Sequence, residues 1–356
     1  MEKAAVLNSK ELVDWFLCHR RSLPWRENPS PYAVWISEVM LQQTQVSVVI
    51  PYFLKWMRQF PSIVALAQAT EEEVIKAWEG LGYYARARRL HKGARYLARY
   101  HEGKIPADAG QLAAIEGLGP YTIGALLSFA FHQKAVAVDG NVLRVLCRFW
   151  GVEMEVERMT TRRHIEKVLA EQLPDEKPWL AMEALIELGA LVCQRTPQCA
   201  RCPLKPGCVS YRDGKTEELP RRKPRQAPTV LERLVAIVYT SSAVLLRREE
   251  KGKVMAGLWE FPYLEGKAPA WEVAQARVVE HFSEPLSYRG SLPAVSHGFT
   301  RFRAFLSPYL WEAKAPFNCT GYTWVPFECI KKKPFSSGHR RILHQWLAEK
   351  KPGCNN

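Results

Sequence analysis

Gly117-Leu118-Gly119-Pro120-Tyr121-Thr122 opens an apolar helix, and Asp139-Gly140-Asn141 opens a second helix shortly after it. Glycines let a turn approach a ligand closely, and backbone N–H groups at a helix start can bind a phosphate without any side chain. The second stretch places a carboxylate near that phosphate site. We therefore predict that the chain holds a nucleic-acid backbone and does chemistry on a nucleotide.

The composition agrees with a nucleic-acid partner. The chain has 356 residues, 47% of them hydrophobic, which suits two domains with sizeable cores, and a net charge of +14. Such a charge favours a polyanion, although a basic surface that serves only solubility is the alternative. No apolar run of about 18 residues predicts a membrane span, and no signal peptide is expected. We expect a cytoplasmic protein that acts as a monomer.

Residues 1–216 are predicted to form a helical domain, in which short Gly/Pro turns separate periodic apolar segments. One helix is expected from Ser30-Pro31 to about Val49, and Pro51 is expected to begin the next. A further helix, Trp179 to Cys193, leads into a cysteine cluster. The strand-like segment 135–138 precedes a helix from Val142 to Trp150.

Residues 217–230 are interpreted as a linker, since they carry three prolines and a basic run. Such a segment either lies along a phosphate backbone or is a solvated connector. In residues 231–350 the sequence pattern changes from helical segments to a mixture of strand-like and helical segments, which predicts an α+β domain. Its strands are expected at 234–239, 243–247, 301–306 and 309–313, and its helices at 271–282 and 337–348.

Glu38 is a candidate general acid. It lies on a largely apolar helix face, with Val34 and Trp35 one turn before it and Leu41 one turn after it. A desolvated carboxyl has a raised pKa, as a general acid needs near neutral pH. The alternative is a glutamate that reaches solvent or pairs with Arg26.

Asp139 is a candidate for an ionised carboxylate in the same site. Its position also suits an ordinary helix N-cap. Because a helix N-terminus stabilises negative charge, we expect its pKa to be lowered. A raised pKa at Glu38 and a lowered pKa at Asp139 would place a proton donor and an ionised carboxylate in one site.

Four cysteines indicate a metal site. Cys193, Cys199, Cys202 and Cys208 are separated by five, two and five residues. Zinc and a [4Fe–4S] cluster both accept four thiolates, and the spacing leaves both open. The odd total of nine cysteines argues against a disulfide framework and for a reducing compartment.

A basic run follows the glycine-containing turn at 80–84. Arg86, Arg88, Arg89, His91 and Lys92 could neutralise phosphates, and the preceding tyrosines could stack on bases or wedge into a base step. The alternative is a solvated helix face with tyrosines in the core.

These segments together resemble the adenine DNA glycosylases of the MutY family, among the helix-hairpin-helix glycosylases. The most specific matches are Leu23-Pro-Trp-Arg26 and the stretches 34–45, 80–86 and 138–142, while Gly257-Leu-Trp-Glu-Phe-Pro262 resembles the family's Nudix-like C-terminal domain. The resemblance implies a helix-hairpin-helix glycosylase domain with an iron–sulfur loop, followed by a Nudix-like lesion-recognition domain. It covers nearly the whole chain.

The implied activity is hydrolysis of the N-glycosidic bond of adenine paired with 8-oxoguanine or guanine in duplex DNA, after the base is flipped out. By this resemblance Glu38 protonates the adenine ring, Asp139 stabilises the sugar cation or bonds to it transiently, and Tyr121 and Asn141 orient Asp139 and the sugar. The cysteines would hold a [4Fe–4S] cluster. The implied DNA contacts are Arg26, Leu41, Gln43, Thr44, Tyr83, Arg86, Gly117 and Gly119, and the implied readers of the lesion are His297, Phe299 and Thr300.

Two alternative functions differ from this one in the residues they require. A bifunctional enzyme like endonuclease III would need a lysine in the hairpin to form a Schiff base, where Tyr121 stands here. A non-catalytic lesion-binding protein would not depend on Glu38 and Asp139. The C-terminal segment lacks the glutamate run of Nudix hydrolases, so it is expected to bind rather than hydrolyse.

Overall fold

The computed structural model describes residues 5–27, 29–224, 226–250, 252, 255–266 and 271–349. Its helices are α1 Ser9–His19, α2 Pro24–Glu27, α3 Pro31–Leu41, α4 Val46–Gln59, α5 Ile63–Gln68, α6 Glu71–Ala77, α7 Ala85–Tyr100, α8 Ala109–Ala113, α9 Pro120–Ala125, α10 Gly140–Trp150, α11 Met159–Gln172, α12 Pro178–Leu191, α13 Val209–Arg212, α14 Trp271–Phe282, α15 Phe327–Ile330 and α16 Ser337–Glu349. Its strands are β1 Thr229–Tyr239, β2 Ala243–Arg248, β3 Trp259–Glu260, β4 Tyr263–Glu265, β5 Ser287–Ser291, β6 Val295–Phe299, β7 Phe302–Glu312 and β8 Thr323–Pro326. None of the helices in these ranges has the length and apolarity that a membrane crossing requires.

The chain divides into two compact units. The first comprises Met1–Gln68 and Arg89–Arg225, and the second comprises Ala69–Arg88 and Gln226–Asn356. Residues 69–88 thus group with the C-terminal part of the chain. The domain limits expected from the sequence, with a linker at 217–230, stay predictions.

The first unit is a helical assembly whose central helices are almost entirely apolar. Helix α12 packs against α1 and α10, and α3 packs against α4 and α9. Burial of whole leucine or tryptophan side chains supplies about 1.5–3 kcal/mol each, so these contacts fix where the polar side chains of the same helices lie. The fully buried side chains at these contacts include Leu12, Trp35, Ile36, Leu185 and Leu188.

The helix expected between residues 30 and 49 is shorter than predicted. Ser30 caps α3 by accepting a hydrogen bond from the Ala33 N–H, but the helix ends at Leu41 because Gln43 adopts a left-handed backbone conformation with φ 61°. Helix α4 then starts at Val46, so Pro51 lies inside it rather than in its first turn. Segment 135–138 is extended but belongs to no strand.

The second unit is built on a mixed sheet, which confirms the α+β architecture expected there. Strands β1 and β7 pair in parallel along their full length, and the strand order is β3-β2-β1-β7-β5. Successive side chains of β1 pack alternately into two hydrophobic cores. One core includes Trp346 of α16, and the other includes Val278 of α14. The two strands expected at 301–306 and 309–313 form a single strand, β7. Pro308, which has no N–H to donate, lies between the residues that pair with β6 and those that pair with β5, so it interrupts neither pairing.

Candidate active site

An open groove in the first unit, with a volume of about 1590 Å³, brings together the four predicted catalytic residues and some of the predicted DNA contacts. Segments from α3, the loop after it, α9, α10 and α12 form its walls. The predicted site residues that line it are Arg26, Glu38, Leu41, Gln43, Thr44, Tyr121, Asp139 and Asn141.

Glu38 is held inside this groove by the apolar packing of α3. It is 8% exposed, and the Tyr121 hydroxyl donates a hydrogen bond of 2.5 Å to its Oε2. Burial, helped by the charges of Asp139 and Glu183, raises the pKa of Glu38 to about 7, against the opposing effects of the Tyr121 hydrogen bond and the Arg26 charge. The raised pKa expected from the sequence is confirmed.

Asp139 occupies the N-cap of α10. Its Oδ1 accepts hydrogen bonds from the N–H groups of Asn141 and Val142 at 2.9 and 2.7 Å, and its Oδ2 accepts one from Asn141 Nδ2 at 2.8 Å. The side chain therefore caps the helix and still forms part of the groove wall.

The expected direction of the Asp139 pKa shift is wrong. Burial raises the pKa of Asp139, and this effect exceeds the opposing hydrogen bonds from Val142 and Asn141 and the nearby positive charge of Arg144. The helix terminus is visible in the sequence, whereas the loss of solvent around the carboxyl depends on packing that the sequence does not display. The two carboxyls still differ: three N–H donors favour charged Asp139, whereas one hydroxyl contacts Glu38.

A buried cluster of arginines and glutamates, missed in the sequence, adjoins Glu38. Glu187 is fully buried; Arg21 contacts its Oε1 at 2.7 Å, and Arg26 contacts its Oε2 at 3.1 Å. Arg26 also pairs with Glu183 at 2.9 Å. The signal was present as two glutamates four residues apart on the otherwise apolar α12, a spacing that places both on one helix face.

Arg144 connects Asn141, which binds the Asp139 carboxylate, to the start of the cysteine loop. Its Nη2 donates to Asn141 Oδ1 at 2.9 Å and to the Gly189 carbonyl at 2.7 Å, and its Nε donates to the Cys193 carbonyl at 2.8 Å. A Cβ on Gly189 would lie 2.7 Å from the Asn141 Cβ, so this glycine lets α12 approach α10 closely. Arg144 thus fixes the side chain that orients Asp139.

Replacing Arg144 by methionine is expected to slow the reaction at this site about a hundredfold, because a small misplacement of a catalytic group has an effect of that order. The measurement is a single-turnover rate compared with that of Arg58→Met, a change to an arginine that bonds only a carbonyl of its own helix among its described hydrogen bonds. Equal rates for the two variants would show that the Arg144 contacts do not position Asp139.

The four cysteines line one cavity beside α10 and α12. The neighbouring thiols contribute to the raised pKa of Cys202, whose largest cause is burial. Arg148 holds the loop by donating to the carbonyls of Leu219, Gln194 and Arg195. Within the described ranges, no three His, Cys, Asp or Glu side chains form a group suited to a single metal ion.

The hairpin of residues 114–120 has the backbone that its glycines predict. Gly117 has φ 96°, and a Cβ there would lie 2.6 Å from the Arg89 Cβ. Gly119 is the N-cap residue of α9, and as a glycine it caps the helix without a side chain. Glu116, beside these glycines, pairs with Lys92 at 3.0 Å.

In the second unit, Tyr83 projects from a tight turn. It is 48% exposed and has φ 48°. Arg86 is only 8% exposed, and it donates to the carbonyls of Leu81 and Gly82 at 3.2 Å. Arg86 supports the turn from inside, which corrects its prediction as a direct DNA contact.

The three residues predicted to read the lesion lie along one β-hairpin of the second unit. His297 and Phe299 are half-buried on β6, and Thr300 is exposed at the tip with φ 47°. Burial, with the charges of Arg341 and Arg233, lowers the pKa of His297 to about 4. His297 is therefore a neutral, packed side chain at the base of the hairpin.

Comparison with known proteins accords with this geometry. A family model described as HhH-GPD superfamily base excision DNA repair protein matches residues 36–171, and a NUDIX domain model matches residues 234–345. The adenine DNA glycosylase of Mus musculus is 35% identical, with 94% of this chain and 77% of that protein covered. For the enzyme of Rattus norvegicus the identity is 31%, and the covered shares are 97% and 79%.

The chain belongs to the adenine DNA glycosylase family. The structure of a thermostable thymine-DNA glycosylase, 24% identical with a TM-score of 0.53, covers 58% of this chain and 95% of that one and shows the same fold in the helical part. The family, the fold class and the enzyme class expected from the sequence are confirmed. The roles of individual site residues stay predictions.

Proposed function

We propose that this adenine DNA glycosylase homologue removes adenine paired with 8-oxoguanine or guanine from duplex DNA and leaves the strand uncut. The observation that carries the proposal is the two carboxyls in one groove, a buried Glu38 bonded to the Tyr121 hydroxyl and a half-buried Asp139 held by N–H donors. A glycosylase must flip the base out of the duplex before it can reach the glycosidic bond, and the groove is open enough to admit it.

Glu38 acts as the general acid. With a pKa of about 7 it retains its proton on a large fraction of molecules near neutral pH, and it passes that proton to the adenine ring. Protonation makes adenine a good leaving group. The glycosidic bond breaks with its electron pair remaining on the base.

Asp139 stabilises the positive charge left on the sugar. Its carboxylate is fixed by three hydrogen bonds, so it need not reorganise as the charge develops. Water then adds to the cation and gives up a proton to the Glu38 carboxylate or to solvent; if Asp139 first captures the cation, water breaks that ester bond instead and frees the Asp139 carboxylate. Asn141 and Arg144 keep the carboxylate aimed at the sugar.

The proposed DNA contacts fall into two groups, those to the phosphate backbone and those to the bases. Backbone amides of the hairpin that contains Gly117 and Gly119 bind phosphate, as anions bind exposed N–H groups. Gln43 and Thr44 lie in the loop that closes α3, where they approach the base pair, and Tyr83 wedges into the stack. Arg26 and Leu41 complete the groove wall.

The four cysteines fit a [4Fe–4S] cluster. They line one cavity, and their donor set consists of thiols only, as such clusters require. When bound, the cluster would tie the loop of residues 193–208 to α10 and α12. Arg148 supports the same loop from the protein side through its three carbonyl contacts.

Purified protein is therefore expected to contain about four iron atoms and four sulfides per chain, with broad visible absorption. Cys202→Ser should lose both, whereas Cys18→Ser, a change at an exposed cysteine, should keep them. Metal analysis that finds one zinc and no iron would contradict the assignment.

The pH dependence of excision is expected to report both carboxyls. The rate should fall as pH rises through about 7, since Glu38 loses the proton it must donate, and it should fall at low pH as Asp139 becomes protonated. The Tyr121 hydroxyl lowers the pKa of Glu38, so Tyr121→Phe should move the alkaline limb to higher pH. Single-turnover rates over this range test the shift, and an unmoved or lowered limb would contradict it.

The test of the proposed function uses duplexes with adenine opposite 8-oxoguanine or guanine. Free adenine should appear, and strand breaks should form only after alkali. Breaks without alkali would favour the bifunctional alternative, and absence of adenine release from both duplexes would overturn the proposal.

A further inference from the structure

Two loops of the second unit are fastened to one short segment, residues 335–341, which we call the clamp segment. One is the turn of residues 79–84, which carries Tyr83 and is called the wedge turn. The other is the hairpin formed by β6 and β7, which carries Thr300 at its tip. The clamp segment consists of the residues just before α16 and the first residues of that helix.

The clamp segment holds the wedge turn through Glu79. The Phe335 N–H donates to Glu79 Oε1 at 2.8 Å, and Arg340 Nη1 donates to the Glu79 carbonyl at 3.2 Å. The other carboxylate oxygen pairs with Lys76 at 2.7 Å. The Glu79 side chain is only 10% exposed, so these bonds are shielded from competing water.

The wedge turn transmits this constraint to Tyr83. Trp78 Nε1 donates to the Gly82 carbonyl at 3.0 Å, and the Gly80 N–H donates to the Tyr84 hydroxyl at 3.3 Å. Arg86 binds the same turn from the core. A shift of Glu79 therefore displaces the whole turn rather than a single side chain.

The same clamp segment also supports the hairpin formed by β6 and β7. Arg341 Nη2 donates to the Ser296 carbonyl of β6. A Cβ on Gly338 would lie 2.7 Å from Leu306 Cδ1 and 3.1 Å from His297 Nδ1, so α16 begins in direct contact with both strands of the hairpin. Arg340 and Arg341, adjacent in sequence, thus bond the wedge turn and the hairpin respectively.

We propose that the clamp segment fixes the spacing between Tyr83 and Thr300, and that Glu79 and Arg340 are positioning residues for discrimination between 8-oxoguanine and guanine. This inference rests on the proposed function, in which Tyr83 enters the duplex and Thr300 reads the lesion. Neither Glu79 nor Arg340 contacts the substrate. They act by making the insertion of Tyr83 depend on how the hairpin sits on the opposing base.

The test compares the single-turnover rate of adenine release from A:8-oxoguanine with that from A:guanine. In Glu79→Ala and Arg340→Met the ratio of the two rates is expected to fall about tenfold, the effect of losing one or two shielded hydrogen bonds. Glu79→Gln keeps an acceptor for the Phe335 N–H and should restore most of the ratio. The matched control is Glu72→Gln, which breaks the 3.1 Å ion pair with Lys333 near the same segment but does not touch the wedge turn.

A second readout follows Tyr83 directly. With 2-aminopurine beside the mispair, fluorescence should rise on binding of the wild type, because wedge insertion unstacks the probe, and should rise less in Arg340→Met. Arg340 is half-buried, so this variant carries the test if thermal unfolding shows that Glu79→Ala is destabilised.

The outcomes separate the two proposals. If the wild type releases adenine selectively while Glu79→Ala and Arg340→Met keep its selectivity and its fluorescence change, the coupling is overturned and the proposed function stands. If the wild type releases no adenine from either duplex, the proposed function itself fails.

Discussion

Glu38→Gln is expected to lower the rate of adenine release by at least about a thousandfold, the upper part of the range for general acid catalysis. Glutamine keeps the shape of the side chain and an oxygen that can accept the 2.5 Å hydrogen bond from Tyr121. It carries no proton that can be transferred to adenine. Binding of the A:8-oxoguanine duplex should therefore change little while excision is lost.

The same variant is expected to gain stability at alkaline pH. The folded-state pKa of Glu38, about 7, is above its ordinary value of 4.5, so the stability linked to this group is full below pH 4.5 and is lost as pH rises through about 7. Glutamine has no charge to bury, and at pH 8 the free energy of unfolding should rise by up to about 3 kcal/mol.

Thermal or denaturant unfolding at pH 5 and pH 8 measures this difference. Glu171→Gln, at an exposed position on α11, is the control for both rate and stability. A Glu38→Gln enzyme that excises adenine within tenfold of the wild type would contradict the assigned role. A variant that is less stable than the wild type at pH 8 would contradict the claim that Glu38 is a buried carboxyl with a raised pKa.

Asp139→Asn is expected to slow adenine release by about a thousandfold, because in the proposed mechanism it removes the negative charge that stabilises the sugar cation. Asparagine is a good N-cap residue and can still accept from the Asn141 and Val142 N–H groups. The fold should therefore survive, and the loss should appear in the single-turnover rate rather than in DNA affinity.

Asp108→Asn supplies a matched control for Asp139→Asn. Asp108 caps α8 by accepting a 2.8 Å hydrogen bond from the Gln111 N–H, so the same change is made at a second aspartate N-cap. Both variants should unfold at nearly the temperature of the wild type, and only Asp139→Asn should lose activity. Equal activity of the two variants would show that Asp139 is a cap and nothing more.

Local patterns in the sequence predicted much of the site. Glu38 on an apolar helix face and Asp139 at a helix start required only periodicity and capping rules, and both lie in one groove. The charge of the carboxyls was harder to predict, because desolvation depends on the packing of segments distant in sequence. The pKa of Asp139 shows this, since burial outweighs the helix terminus that the sequence displays.

Contacts between distant segments account for what the sequence did not reveal. Arg86 sits in a basic run that favours DNA contact, yet its guanidinium is turned inward to two carbonyls of the wedge turn. The Arg26 pairs with Glu183 and Glu187 join residues more than 150 positions apart. The grouping of residues 69–88 with the C-terminal unit likewise rests on contacts such as that of Glu79 with Phe335.

In the proposed mechanism, the Glu38 carboxyl keeps its proton on a large fraction of molecules near neutral pH and passes it to adenine. An NMR titration of the ¹³C-labelled glutamate carboxyls, with Glu38 assigned by comparison with Glu38→Gln, measures that proton directly and needs no substrate. The structure predicts a midpoint of about 7 for Glu38. A midpoint close to the ordinary value of 4.5 would mean that Glu38 is ionised in the groove, and would contradict the account.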